Sequence, residues 1–122
     1  LTEAKAAGKV RAVGVSCHSL AALRAAVTTP WVEVVLVRIN HAGVNMDGSP
    51  AEVVPVIEQL SEAGKGVYGM KVLGCGQLTD DVSHAFEYVL NLGTVHAMTV
   101  GMSSRAQLLE NIDTVAALTT QG

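Results

Sequence analysis

Four times along this chain a Val-rich, β-like run leads into a polar, glycine-bearing stretch and then into a helical pattern. The β-like runs are Val10 to Val15, Val32 to Ile39, Gly66 to Val72 and Ala97 to Val100. The second is nearly unbroken in apolar residues, as a parallel strand covered on both faces should be. Apolar residues at helical spacing follow each run. They are Leu20, Leu23, Ala26 and Val27; Val53, Val56, Ile57 and Leu60; Val82, Ala85, Phe86, Val89 and Leu90; and Leu108, Leu109, Ile112, Val115 and Ala116. The last set predicts an inner apolar face for the closing helix.

Start and stop signals agree with this division. Residues 1–8 read as the end of a helix stopped by Gly8, and Ser19 caps the next helix, which Thr28-Thr29-Pro30 ends. Asp47-Gly48 marks a turn. Ser49-Pro50-Ala51-Glu52 combines an N-cap serine, a proline at the first helical position and a glutamate that closes a capping box. Pro55 is expected to be tolerated because it lies near that helix's first turn, where N–H groups lack partners. Gly64 and Gly93 close helices, and Ser104 to Gln107 predicts a second capping box.

Strands alternating with helices of this length imply right-handed crossovers and a parallel sheet. The fold class is therefore α/β, built of parallel (β/α) units. Four such units are about half of a (β/α)8 barrel, which takes about 250 residues. A small doubly wound sheet is the competing architecture. A half-barrel leaves two strand edges and an apolar sheet face exposed, to be covered by a missing half or by self-association.

The 122 residues suffice for one core, and the chain opens on Leu1 inside a helix-like run. Residues 1–122 are expected to form a single partial domain of a longer protein. Half the composition is apolar (49%) but only one Trp, two Tyr and one Phe occur, so Val, Leu, Ile and Ala must build the core. The net charge of −3, with Lys and Arg scattered singly, gives no footprint for nucleic acid or an anionic membrane. No apolar run is long enough to span a bilayer. The cytoplasm is the default location, and an export signal cannot be judged from this amino terminus. Two cysteines, Cys17 and Cys75, make no disulfide framework.

Candidate chemistry collects after the strands, where parallel β/α folds carry their ligands. The stretches are Ser16-Cys17-His18, Asn40-His41-Ala42-Gly43, Lys71 to Gly76 and Gly101 to Ser104. Ser103-Ser104-Arg105 places two hydroxyls, orphan N–H groups and a guanidinium at a helix start, which suits a phosphate as well as a plain cap. Lys71 stands at a strand's carboxyl end before Gly74 and Gly76, which let a ligand approach the backbone. A solvated lysine beside a tight loop is the simpler alternative. Gly64-Lys65-Gly66-Val67-Tyr68-Gly69 matches G-x-G-x-x-G but follows a helix and enters a strand, the reverse of a dinucleotide fingerprint. Cys17, His18, His41 and Cys75 could converge on zinc, but no short ligand spacing supports it. His84 and His96 read as structural, and Trp31, Glu33 and Arg38, around the second strand, as helix or bottom-face packing.

Glu3 to Ser16, Trp31 to Asn40, Gly64 to Leu78 and Val100 to Asn111 together resemble four successive passages of the aldo/keto reductases. The resemblance runs over almost the whole chain, in order. It implies the carboxyl-terminal half of a (β/α)8 TIM barrel, strands 5–8 with their helices, in a divergent branch of a family that reduces aldehydes and ketones with NADPH. On this resemblance Ser16 contacts the nicotinamide carboxamide, Cys17 stands where Asn is usual and Leu36 where Gln is usual. Met70 replaces the aromatic that stacks on the nicotinamide, and Lys71 the following Ser. Leu73 and Gly74 line the pyrophosphate. Gly101, Ser103, Ser104 and Gln107 hold the adenosine ribose and its phosphate, with Arg105 beside them and Glu110 and Asn111 at the adenine.

The implied cofactor is NADP in preference to NAD, and the implied partner a small-molecule carbonyl substrate of the parent protein. The family's catalytic Tyr, Lys, Asp and His belong to the first half of the barrel, so none is assigned here. Tyr68 and Tyr88 do not match them. Two alternatives remain: a non-catalytic nucleotide-binding or regulatory module, suggested by the altered nicotinamide contacts, and a metal-dependent barrel enzyme.

Overall fold

Each strand of the chain is followed by a helix, and each strand pair is parallel. The computed structural model describes residues 1–120. In chain order the elements are α1 (Thr2–Ala6), β1 (Gly14–Ser16), α2 (Leu20–Thr28), β2 (Val34–Arg38), α3 (Pro50–Glu62), β3 (Gly66–Met70), a 3-10 turn (Gly74–Gly76), α4 (Val82–Asn91), β4 (Ala97–Met98) and α5 (Arg105–Thr120). The sheet order is β1-β2-β3-β4. A doubly wound sheet needs its strand order to reverse at a switch point, and this one does not. Sequential parallel strands with crossovers of one hand carry all their helices on one face, as one half of a (β/α)8 barrel does.

Alternation along β2 separates the two faces. Val35 and Val37 are buried against the helices, whereas Val34, Leu36 and Arg38 are partly exposed on the helix-free face. Register carries that face across the sheet: Ser16 pairs with Leu36, Leu36 with Tyr68, and Tyr68 with Ala97. Tyr68 is 46% exposed there. The other face joins Leu23 of α2, Val53, Ile57 and Leu60 of α3, and Phe86 and Val89 of α4 in one fully buried cluster with Val35, Val37, Ile39 and Val67.

The edge strands are shorter than their β-like runs. β1 starts only at Gly14, where a Cβ would run into the Val34 carbonyl, so glycine permits the close approach of the two backbones. Before it, Glu33 continues the pairing in another form. Its N–H donates to the Val13 carbonyl (2.9 Å), and its carboxylate accepts from the Val13 N–H (3.1 Å). β4 has two residues, with Thr99 N–H still donating to Gly69 (2.8 Å). His96 Nδ1 accepts from the Val67 N–H (3.0 Å), so this histidine is structural, as expected.

Gly64 turns the chain at positive φ after α3, and Gly66 enters β3, which disposes of the dinucleotide fingerprint. Glu52 folds back on α3's cap, accepting from the Ser49 N–H (2.9 Å) and hydroxyl (2.8 Å). Pro55 lies beyond the first turn, contrary to expectation. The helix tolerates it because Pro55 and Ala51, whose carbonyl loses its partner, are both exposed to water.

The closing helix departs most from expectation. Among the described residues α5 buries none, and Leu108, Leu109 and Ile112 are 42%, 50% and 54% exposed. An apolar groove of about 580 Å³ separates it from α4 and β4, lined by Phe86, Met98, Leu108, Ile112 and Val115. A two-residue β4 offers too short a seat for a sixteen-residue helix.

Candidate functional site: the cleft at the strand carboxyl ends

The loops at the carboxyl ends of the strands are held by strained backbone and one buried amide. Among the described residues, the non-glycine positions with positive φ are Asn45 (54°), Lys71 (60°) and Cys75 (58°), all in these loops. Asn40 is fully buried just past β2. Its Nδ2 donates to Val44 O (2.8 Å) and Lys71 O (3.0 Å), and its Oδ1 accepts from the N–H of Ala42 (3.1 Å) and Val44 (3.0 Å). One side chain thus shapes the loop after β2 and ties it to the end of β3. Asn45 adds a bond from its Nδ2 to Gly74 O (3.2 Å).

Beside this rim lies a cleft of about 780 Å³ between the loop after β3 and the start of α5. Met70, Lys71, Leu73, Gly101, Ser103, Gln107, Glu110 and Asn111 line it. It brings together the residues singled out at two separate passages of the sequence. Gly74 is not in its wall. It is buried at φ 56°, and a Cβ there would meet Leu78 at 3.0 Å and Val44 at 3.1 Å. Its contribution is the tight turn that gives the loop its shape.

At the start of α5, Ser104 is the cap: its Oγ accepts from the Gln107 N–H (3.2 Å). The reciprocal bond expected from Gln107 to Ser104 goes one residue earlier. Gln107 Oε1 accepts from both the N–H (2.8 Å) and the hydroxyl (3.1 Å) of Ser103. The N–H groups of Arg105 and Ala106, in the helix's first turn, have no helical carbonyl to bond. Ser104 and Arg105 sit beside the cleft, outside its wall.

The opposite end of the predicted site is a separate cluster. Ser16 and His18 are exposed at the end of β1, and Ser16 Oγ lies 3.0 Å from His18 Nε2. Arg38, at the end of β2 on the helix-free face, contacts His18 Nδ1 with one terminal nitrogen and Asp47 with the other (3.3 Å). Arg38 therefore belongs to the carboxyl rim and not to bottom-face packing. The signal was in the sequence: Val34, Leu36 and Arg38 alternate onto one face, with the guanidinium last. Leu36 lies one row below it, and Met70 is Arg38's partner on β3.

Cys17 points away from this cluster. It is 2% exposed within the helix-side core, and burial, with a smaller contribution from the Asp47 charge, pushes its thiol pKa up. Just past the end of β1, the Cys17 side chain packs into the core while Ser16 is exposed. His41 and His84 meet edge to face with centroids 4.6 Å apart, and Tyr88 lies 6.2 Å from His41. Among the described residues no three His, Cys, Asp or Glu side chains converge as a metal site, so the Cys17, His18, His41 and Cys75 grouping does not form. No helix among the described residues is long and apolar enough to cross a membrane.

A parallel half-barrel with a ligand-sized cleft at its carboxyl rim describes one class of barrel protein, and comparison with known proteins gives the family. The family model "Aldo/keto reductase family" matches residues 1–86. The chain belongs to the aldo/keto reductase family. Among solved structures it is similar to PA4992 of Pseudomonas aeruginosa, a protein assigned to the aldo-keto reductases. Identity is 28% and TM-score 0.76, over 97% of this chain and 41% of that one. It is also similar in fold to the aldo-keto reductase AKR11C1 from Bacillus halodurans in its holo form. Here identity is 18% and TM-score 0.73, over 93% of this chain and 47% of that one. The chain thus spans less than half the length of either structure. No curated protein matches it.

Proposed function

We propose that this chain is the coenzyme-binding half of an NADPH-dependent carbonyl reductase. The observation that carries the proposal is the cleft that unites Lys71 and Leu73, after β3, with Gly101, Ser103, Gln107, Glu110 and Asn111, at the start of α5. The donor set suits a phosphorylated nucleoside. The orphan N–H groups of the first helical turn and the Arg105 guanidinium favour an anion, and a helix amino terminus adds a positive field. Gly101 leaves open space where a side chain would stand. Asn111 and Glu110 supply an amide and a carboxylate for a base edge.

Met70, largely buried beside the cleft, offers the nicotinamide a flexible apolar surface in place of an aromatic one. When bound, the coenzyme supplies the hydride. The chain's own residues hold and orient it. The acid that protonates the carbonyl oxygen lies in the part of the barrel outside these residues. That part also covers the helix-free face that exposes Tyr68 and Leu36. The replacement of the usual aromatic by Met70, and a Cys17 side chain turned into the core where an amide is usual, favour one second reading, a nucleotide-binding module without turnover.

Fluorescence titration of the full-length protein with NADPH tests the proposal. Saturable binding with loss of affinity in Ser103→Ala is expected, and no binding at millimolar coenzyme overturns it. Carbonyl-dependent NADPH oxidation separates the reductase from the module.

A further inference from the structure

Two loops at the carboxyl rim are locked together, and only one of them lines the cleft. The loop after β3 supplies Lys71, Leu73, Cys75 and Gly76 to the cleft wall. Its backbone is strained, because Lys71 (φ 60°) and Cys75 (φ 58°) hold a conformation that crowds a non-glycine side chain. The loop's own bonds run from Gly74 N–H to Lys71 O (2.8 Å) and from Gly76 N–H to Leu73 O (2.9 Å). They close turns within the loop and tie it to nothing outside. The loop after β2 supplies that tie. Asn40 Nδ2 donates to Lys71 O (3.0 Å), the carbonyl that also closes the first turn, and Asn45 Nδ2 donates to Gly74 O (3.2 Å). Val44 fills the space beside Gly74, where a Cβ would come within 3.1 Å of its methyl group. The bonds that Asn40 makes with Ala42 and Val44 stop its amide from turning away. Asn40, Val44 and Asn45 are all outside the cleft wall.

We infer that Asn40 and Asn45 are positioning residues for the cleft: from the neighbouring loop they clamp the loop after β3 in its strained, binding-competent shape before any ligand arrives. The inference rests on the coenzyme reading for the identity of the ligand, but not for the existence of the clamp. Neither amide touches the ligand. Both act through the backbone carbonyls of Lys71 and Gly74. A wall already in place loses little freedom when a ligand binds, so the cost of ordering it falls on folding and not on affinity. Without the two amides, Lys71 and Cys75 are free to relax out of the left-handed region, and the wall is competent for only part of the time. Affinity then falls in proportion to that fraction.

Hydrogen exchange and ligand titration of the full-length protein test the clamp. Asn45 is exposed and its φ of 54° suits glycine, so Asn45→Gly removes the grip on Gly74 and keeps the fold. In the free protein, exchange at the Gly74, Gly76 and Leu78 amides should rise about three- to tenfold, one net hydrogen bond's worth. Exchange in the core helix from Val53 to Leu60 should not change. Unchanged exchange in the loop overturns the clamp, and this arm needs no ligand. In the second arm, Asn45→Gly should weaken NADPH binding by a similar factor. Binding of adenosine 2′,5′-bisphosphate, whose contacts on the coenzyme reading lie at the start of α5, should be unchanged. Equal losses for both ligands, or no loss for either, overturn the inference. Asn40→Ala should show the same pattern more strongly, and if that variant does not fold, Asn45→Gly decides. If unsubstituted protein binds no NADPH, the coenzyme reading falls and the exchange rates alone decide the clamp.

Discussion

The ammonium of Lys65 closes the end of α2 from a distance of thirty-six residues, donating to the carbonyl of Thr29 at 2.8 Å. It makes a second bond to the Val32 carbonyl at 2.6 Å, and the residue is only 8% exposed. The lysine leads into β3, so this contact pins the loop between α2 and β2 to the amino end of the next strand. Lys65→Ala leaves two carbonyls in a partly buried place without donors. A loss of roughly 2–3 kcal/mol is expected, read from urea unfolding of the full-length protein. Lys65→Arg should recover part of it.

Packing differs sharply between the last two helices. Phe86 of α4 is fully buried, and Phe86→Ala should cost roughly 3–5 kcal/mol through lost contacts and the cavity left behind. Ile112 of α5 is 54% exposed, and Ile112→Ser should change stability by no more than about 0.5 kcal/mol. Comparable losses at both positions would mean that α5 seats on the core as its apolar periodicity suggests, and that the groove beside it is closed in solution.

The cap of α3 titrates in the acid range. Hydrogen bonds from the Ser49 N–H and then the Ser49 hydroxyl hold the Glu52 carboxyl below its ordinary value of 4.5. A lowered folded pKa means that the unfolded chain takes up its proton first. The contribution is therefore whole above the ordinary value and disappears as pH falls through the folded one. Denaturant midpoints of Glu52→Ala and the unsubstituted protein should differ at neutral pH and converge in acid. A gap independent of pH would show that the carboxylate charge has no part in the cap.

The two thiols should behave differently toward an alkylating agent. Burial raises the Cys17 pKa and shields the sulfur, whereas Cys75 is exposed in the loop beside the cleft. Only the thiolate reacts, so iodoacetamide at neutral pH should modify Cys75 and spare Cys17 in the native protein. Peptide mass mapping reads the outcome, and rapid native labelling of Cys17 would place its side chain at the surface.

Much of the fold was legible in the sequence because its signals are local. Ser49 and Glu52, Ser104 and Gln107, and Gly64 act within a few residues of one another, and the caps and stops stand at or next to the expected positions. Two of the four passages after the strands, Lys71 to Gly76 and Gly101 to Ser104, line the cleft, since in a parallel β/α fold chain direction alone decides which end a loop occupies. What the sequence concealed depends on neighbours far along the chain. The serine of Gln107's return bond was misassigned by one residue, and Arg38, read as helix or bottom-face packing, instead meets His18 and Asp47.

By itself, then, the order of residues determined the four strand–helix units, their direction and the rim where polar chemistry gathers. Periodicity, capping and the handedness of crossovers are properties of contiguous segments. Only the tertiary structure decided that Cys17 turns inward while Ser16 turns outward, that Arg38 meets His18 and Asp47, and that α5 leaves Leu108, Leu109 and Ile112 exposed while Val115 and Leu118 pack toward the core. Those outcomes rest on cross-strand register and on the length of β4, which are set by pairing between distant segments and written in no single one of them.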